Sequence, residues 1–214
     1  MLFRISFHNC IDKLIKMKII CFILLSVYIG TTYASQCCFP RQYEANQGIA
    51  KATARNGQLS IMTGNIHYWF DAVSRRERFN EYIVIDDIPY NIVVIKDYNM
   101  TNTKYVITNG HCTKSSLTKF KEGCIQDSST ELISSSYGLQ DSGRDFTIYN
   151  NTAGIVTSFL IATNDCLPML DVSIVPRGTT PYMEVVNFYN FTTGIKDPTV
   201  FDIPSLCKPP SPVG

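Results

Sequence analysis

The chain is read as an all-β protein, a sandwich or a barrel of antiparallel strands. Three observations predict it. The apolar period after residue 34 is predominantly two, β-branched and aromatic residues gather in short runs, and Gly, Asn, Asp and Pro separate those runs. About nine such runs in one domain need a second layer, or closure on themselves, to bury an apolar face.

The runs follow in order. Gln58 to Met62, Asn65 to Ala72, Arg76 to Ile85, Pro89 to Asp97 and Lys104 to Asn109 come first. Arg144 to Tyr149, Gly154 to Thr163, Met169 to Val175 and Tyr182 to Phe191 complete the set. Turn chemistry that tolerates positive φ falls between them at Asn56-Gly57, Asn109-Gly110 and Arg177-Gly178. Asp86-Asp87, followed by Ile88-Pro89, is a further turn signature, and Asp141-Ser142-Gly143 another. Between Cys112 and Gly143 the alternation blurs into Ser, Thr and Lys, which predicts a loop or a short helical insertion.

Ahead of the strands, residues 17–34 have the parts of a secretory leader. Lys18 supplies the positive charge, Ile19 to Ile29 the apolar stretch, and Thr32-Tyr33-Ala34 the small-residue cleavage site. The apolar stretch is about half the ~20 residues a membrane-spanning helix needs. Residues 1–34 are therefore expected to be a signal peptide, with Met17 as an alternative start. Residues 35–208 are expected to form the β domain, and the proline-rich residues 209–214 a short tail.

Without the leader's four basic residues and Asp12, 15 basic and 17 acidic side chains remain. That balance argues against nucleic acid, which is bound through a basic stripe that displaces counterions. An apolar share of 45% against 17% charged residues describes a packed globular chain.

Six cysteines remain after Cys10 and Cys21 leave with the leader: Cys37, Cys38, Cys112, Cys124, Cys166 and Cys207. In an oxidising compartment six imply three bridges. Zinc would need paired spacings or histidine partners, and only His67 and His111 remain. Adjacent Cys37 and Cys38 point apart along an extended chain, so they staple the N-terminus to two different places. Sequons at Asn99, Asn150 and Asn190 would sit on the surface of a secreted glycoprotein.

Catalysis finds little support. His67 and His111 are the only bases of their kind, no serine sits in a nucleophile elbow, and the cysteines are expected to be oxidised. The chain is expected not to be an enzyme and to need no cofactor. Calcium stays open, because it asks only for several oxygens in flexible geometry; no ligand set can be named for it.

Two strands are apolar on both faces. Asn65 to Ala72 carries Ile66, Tyr68 and Phe70 on one side and His67, Trp69 and Asp71 on the other, and Tyr182 to Phe191 is similar. Such strands belong either to an ordinary core covered by loops or to a sheet that holds an apolar ligand. Both readings stand on alternation alone.

Several segments together resemble the ependymin and ependymin-related family of secreted glycoproteins. The opening Cys37-Cys38-Phe39-Pro40-Arg41-Gln42-Tyr43-Glu44 is similar to the family's Cys-x-x-Pro-x-x-Trp-Glu, with Tyr43 in place of tryptophan. Phe70-Asp71 followed by Arg76-Glu77-Arg78 is similar to its Tyr-Asp-x4-Arg-x-Arg element, and Asp165-Cys166-Leu167-Pro168 to its Cys-x-Pro segment. The most specific part is the run Gly194-Ile195-Lys196-Asp197-Pro198-Thr199-Val200-Phe201, continuing through Asp202-Ile203-Pro204-Ser205-Leu206-Cys207.

The resemblance implies two stacked, curved antiparallel sheets with minor helix, forming a half-open β-barrel similar to carriers of the LolA type, with an apolar pocket. It also implies a homodimer, an extracellular or lysosomal location, and association with calcium and with cell-matrix adhesion. The implied task is binding a hydrophobic or lipid-like ligand; the alternative is a matrix or adhesion glycoprotein that transports nothing. By resemblance Cys37 pairs with Cys166 and Cys112 with Cys207, which leaves Cys38 for Cys124.

Alternate apolar positions nominate the lining of the pocket: Trp69, Tyr82, Val84, Ile92, Val94, Phe146, Ile148, Phe159, Ile161, Val185 and Phe188. Asp71 with Arg76 and Arg78 form either an ion pair across a hairpin or, through the two arginines, a rim for an anionic headgroup.

Overall fold

Tight turns set the register of the strands. Asn56-Gly57, Asp86-Asp87 and Asn109-Gly110 all have positive φ at both central residues, the geometry that matches the twist of a two-residue hairpin. The computed structural model describes residues 37–138, 143–178 and 180–208; the leader, its Met17 start and the tail expected at 209–214 lie outside them.

Strands β1 (Gln42–Arg55), β2 (Gln58–Asp71), β3 (Arg76–Ile85), β4 (Ile88–Asp97), β5 (Thr103–Thr108) and β6 (His111–Ser116) form one antiparallel meander. A second consists of β7 (Thr130–Tyr137), β8 (Arg144–Ala153), β9 (Val156–Thr163), β10 (Pro168–Val175) and β11 (Tyr182–Thr193). The first and last strands, β1 and β11, pair and join both meanders into a single 11-stranded sheet with β6 and β7 at its edges. The fold is therefore all-β and antiparallel, with two short 3-10 turns at Pro198–Phe201 and Ser205–Cys207, as expected, and the sheet does not close. The two layers that were expected are wings of this one ladder.

Three strands went unrecognised in the sequence. β1 reads QYEANQGIAKATAR, with few β-branched residues, and becomes a strand because β2 and β11 hydrogen-bond it on both sides. β6 and β7 occupy the stretch expected as loop or helix. They are edge strands, almost wholly exposed and rich in Ser, Thr and Lys, the composition that discourages pairing with another chain. The two runs expected at Gln58 to Met62 and Asn65 to Ala72 are one strand. Gly64 sits inside it because a Cβ there would strike the Tyr82 carbonyl and the backbone of Ile83.

Opposite residues of paired strands share a face. The first face carries Tyr43, Ala45, Tyr68 and Phe70 at the centre, packed with Phe79, Phe188 and Phe191. Phe39 and Phe120 cover this cluster from outside the sheet, with Phe120 stacked on Phe70 at 5.8 Å. Tyr43 stacks on Phe191 at 4.6 Å, which places the N-terminal motif of the sequence at the heart of the core. Residues 117–129, the link between the two edge strands, run over this side and are tied to the N-terminus by Cys38–Cys124.

On the second face, the segment after β11 lies over β4 and β5. Ile203 and Cys207 pack there with Ile95 and Tyr105, and Cys112–Cys207 fastens it. Cys37–Cys166 is the third bridge. All three bridges are the expected ones.

Candidate functional site

The second face changes character beyond the reach of the C-terminal segment. Register places Phe146 and Ile148 of β8, Phe159 and Ile161 of β9, Leu170 and Val172 of β10, and Val185 of β11 together on it. Neither packed cluster includes any of them. The large apolar side chains left exposed within strands belong overwhelmingly to this face: Leu59, Ile61, Tyr82, Ile133, Tyr137, Met183 and Tyr189. A sheet face of this kind, unlike scattered single hydrophobics, marks an interaction surface.

At its middle lies an open groove of about 450 Å³ that crosses β1 and β2. Gly48, Ala50 and Thr63 form the floor; Tyr82 and Val84 on one side, Val185 and Asn187 on the other, form the walls. The floor is low because its residues are small. A Cβ on Gly48 would run into Asn187 Oδ1, so glycine there lets the Asn187 amide lie across the strand.

Of the eleven residues nominated for the lining, eight share this face: Trp69, Tyr82, Val84, Phe146, Ile148, Phe159, Ile161 and Val185. The other three need correcting. Ile92 and Val94 register with Glu81 and Phe79 on the opposite face, and Phe188 packs there in the aromatic cluster. β4 is apolar on both sides from Ile92 to Ile95, so alternation could not choose between them. Leu170, Val172, Ile174 and Met183 were not nominated, although the alternation through β10 carries the signal of the first three.

Toward the C-terminal segment the same face becomes polar. Trp69 lies 4.0 Å from the ring of His67, with the Arg78 guanidinium 5.7 Å from its own ring centre. Arg78 donates to the Val200 carbonyl and to Asn80 Oδ1, so it holds the C-terminal segment in place. The Lys196 amide donates to Glu44 Oε1 at 2.6 Å in the same region. His67 Nε2 is buried with no partner, and burial pushes its pKa below the ordinary histidine value, with Lys196 acting in the same direction against Glu44.

Arg76 pairs with buried Asp71 at 3.5 Å and lies over the Phe201 ring at 4.6 Å. Burial would raise the Asp71 pKa, but hydrogen bonds from Ser74 and Gln42, together with Arg76, hold it below the ordinary value. The acid and the arginines are thus structural fasteners.

Among the described residues no group of three or more His, Cys, Asp or Glu gathers to hold a metal ion. Asp97 is occupied by the backbone amides of Asn99, Met100 and Thr101 and the Thr101 hydroxyl. Of the sequons, Asn99 lies exposed in that turn and Asn190 exposed on a bulge of β11 with φ 51. Asn150 is half-buried in mid-strand, opposite Phe159, with its Oδ1 buried and unpartnered. No described helix is long and apolar enough to cross a membrane.

A family model described as Ependymin matches residues 88–207, more than half of the chain. No curated protein matches it. Among solved structures, a DUF1329 family protein from Desulfovibrio piger is similar at 10% identity and a TM-score of 0.36, over 76% of this chain and 90% of that one.

Proposed function

The chain belongs to the ependymin family, and we propose that it is a secreted glycoprotein that binds a hydrophobic, lipid-like ligand on the bare apolar face and performs no chemistry of its own. One observation carries the reading. Side chains from four neighbouring strands, Ile148, Phe159, Val172 and Val185 among them, share one face and lie in neither packed cluster, beside an open groove. Burying the side chains of such a face is worth about 25 cal/mol for each Å² removed from water, which a ligand of aliphatic character supplies. Three disulfides fit an oxidising, extracellular destination.

Native mass spectrometry of the secreted protein, with a fluorescent fatty acid as a second probe, tests the proposal. Extra lipid-sized mass lost on organic extraction, and probe binding abolished in Phe159→Asp but kept in a surface control such as Lys119→Ala, are expected. A clean mass together with no probe binding would overturn it, and so would turnover of any substrate abolished by His67→Ala. A dimer mass that persists without lipid, joined through this face, would favour the adhesion glycoprotein instead.

A further inference from the structure

Asparagine is depleted from strands because its side chain competes with the backbone for hydrogen bonds, yet the central strands carry five within their bodies, all on the second face. Asn91 of β4, Asn65 of β2 and Asn187 of β11 lie in one row across the sheet, with Tyr82 and Gly48 between them. Asn80 of β3 and Asn46 of β1 stand in the next row, on either side of His67. The first face of these same strands holds no asparagine outside the bulge at Asn190.

The band has a definite position. On one side lie Val84, Ala50 and Val185, with Ile61 and Met183 beyond them; on the other begins the zone closed by the C-terminal segment. The apolar groove thus ends at a belt of amides, flanked by the exposed rings of Tyr82 and Tyr189. Tyr189 Oη already donates to Asn65 Oδ1 at 3.0 Å, orienting that amide, and His67 Nε2 has no partner.

Amides and a neutral imidazole offer donors and acceptors in nearly equal number and no net charge. Of the neighbouring cations, Arg76 is engaged by Asp71 and Arg78 by Val200 and Asn80, while Lys196, exposed in the C-terminal segment, acts on His67 from that side. A carboxylate placed between the amides of Asn65 and Asn187 would gain no unpaired counter-ion from the strands, whose arginines are engaged, whereas a hydroxyl both donates and accepts there.

We propose that the groove takes an amphiphile whose polar end is uncharged and bears hydroxyl groups, held by the belt of Asn65, Asn187, Asn46 and Asn80, with its apolar chain lying along Ala50, Val84 and Val185. This rests on the ligand-binding reading above and narrows it to a class of headgroup.

Trp69 is the only tryptophan of the chain and stands beside His67, so its fluorescence reports ligand arriving at the belt. The experiment titrates the protein at pH 8 with 1-monooleoylglycerol and, separately, with oleate, which has the same chain and an anionic end. A preference of at least about tenfold for the monoacylglycerol is expected, as two hydrogen bonds of ~1 kcal/mol each would give. Asn65→Leu with Asn187→Leu, both at exposed positions, should erase the preference while oleate still binds. Equal or tighter binding of oleate by the native protein overturns the inference, and so does a preference that survives the double substitution. In both of those cases the apolar site stands; failure of either ligand to bind, with no binding of the fluorescent fatty acid, removes both readings together.

Discussion

The two wings of the second face make an instructive pair. Over β4 and β5 the face is sealed: Ile95 is 0% exposed beneath a C-terminal segment fastened by Cys112–Cys207. Over β8 to β11 an equally apolar face, with Ile148, Phe159, Val172 and Val185, is left outside any packed cluster. The strands of both wings are rich in β-branched and other apolar residues, so strand composition does not explain the difference. What decides it is whether another stretch of the chain lies on top. Sealed core and open face are here the same kind of sheet surface, with and without a cover.

Detaching the cover should have the largest effect. In Cys112→Ser with Cys207→Ser, a bridge across a sequence separation of 95 is lost, worth up to about 4 to 5 kcal/mol in the chain-entropy model. A lower denaturant midpoint is expected, with hydrogen exchange at Ile95 and Tyr105 rising toward that of the bare wing. Exchange that rises uniformly over the sheet instead would show that the segment is no local cover.

Single truncations should separate the wings next. Ile95→Ala, at a sealed position, is expected to cost about 3 kcal/mol, and Val172→Ala about 1 kcal/mol or less, because the latter site leaves no closed cavity. Equal losses in chemical denaturation would break the contrast.

A smaller effect concerns Asp171, on the first face beneath residues 123–129. Burial, and then the charge of Glu184, raise its pKa, and its Oδ1 has no partner. A carboxyl whose folded pKa lies above its unfolded value of about 3.9 destabilises the fold when ionised, so its contribution improves as pH falls through the folded value. Asp171→Asn should therefore raise Tm by about 2 °C at pH 7 and converge with the native protein near pH 4. Asp71 has the opposite sign: held below its ordinary value, it stabilises above about pH 4 and ceases to as pH falls further.

The finest test uses the sequons. Asn99→Gln and Asn190→Gln should each remove a glycan mass, and Asn150→Gln should remove none, since a glycan on Asn150 would occupy the bare wing opposite Phe159. Occupancy at Asn150 would argue that this wing faces no ligand.

The sequence made β3, β4 and the hairpin turns legible because propensity, pattern and turn chemistry agree there. It hid β1, whose Ala, Lys and Gly residues become a strand only between two partners, and the polar edges β6 and β7. The bridges were legible through resemblance and exclusion. Face membership was legible for Phe146 and Ile148, which Thr147 separates, and not for Ile92 and Val94, which sit where both faces are apolar. The belt of asparagines was in plain sight in the sequence, but strand register was needed to bring Asn65 and Asn187, 122 positions apart, onto one row.

The pairing of β1 with β11 also sets a clock. Tyr43 meets Thr193 only after the last strand exists, so the middle of the sheet is the final part to be made as the chain emerges. Until then β1 waits with one edge unpaired, and Cys37 waits for Cys166. One edge of β1 therefore stays open while all the other strands are made, and β11 closes it last.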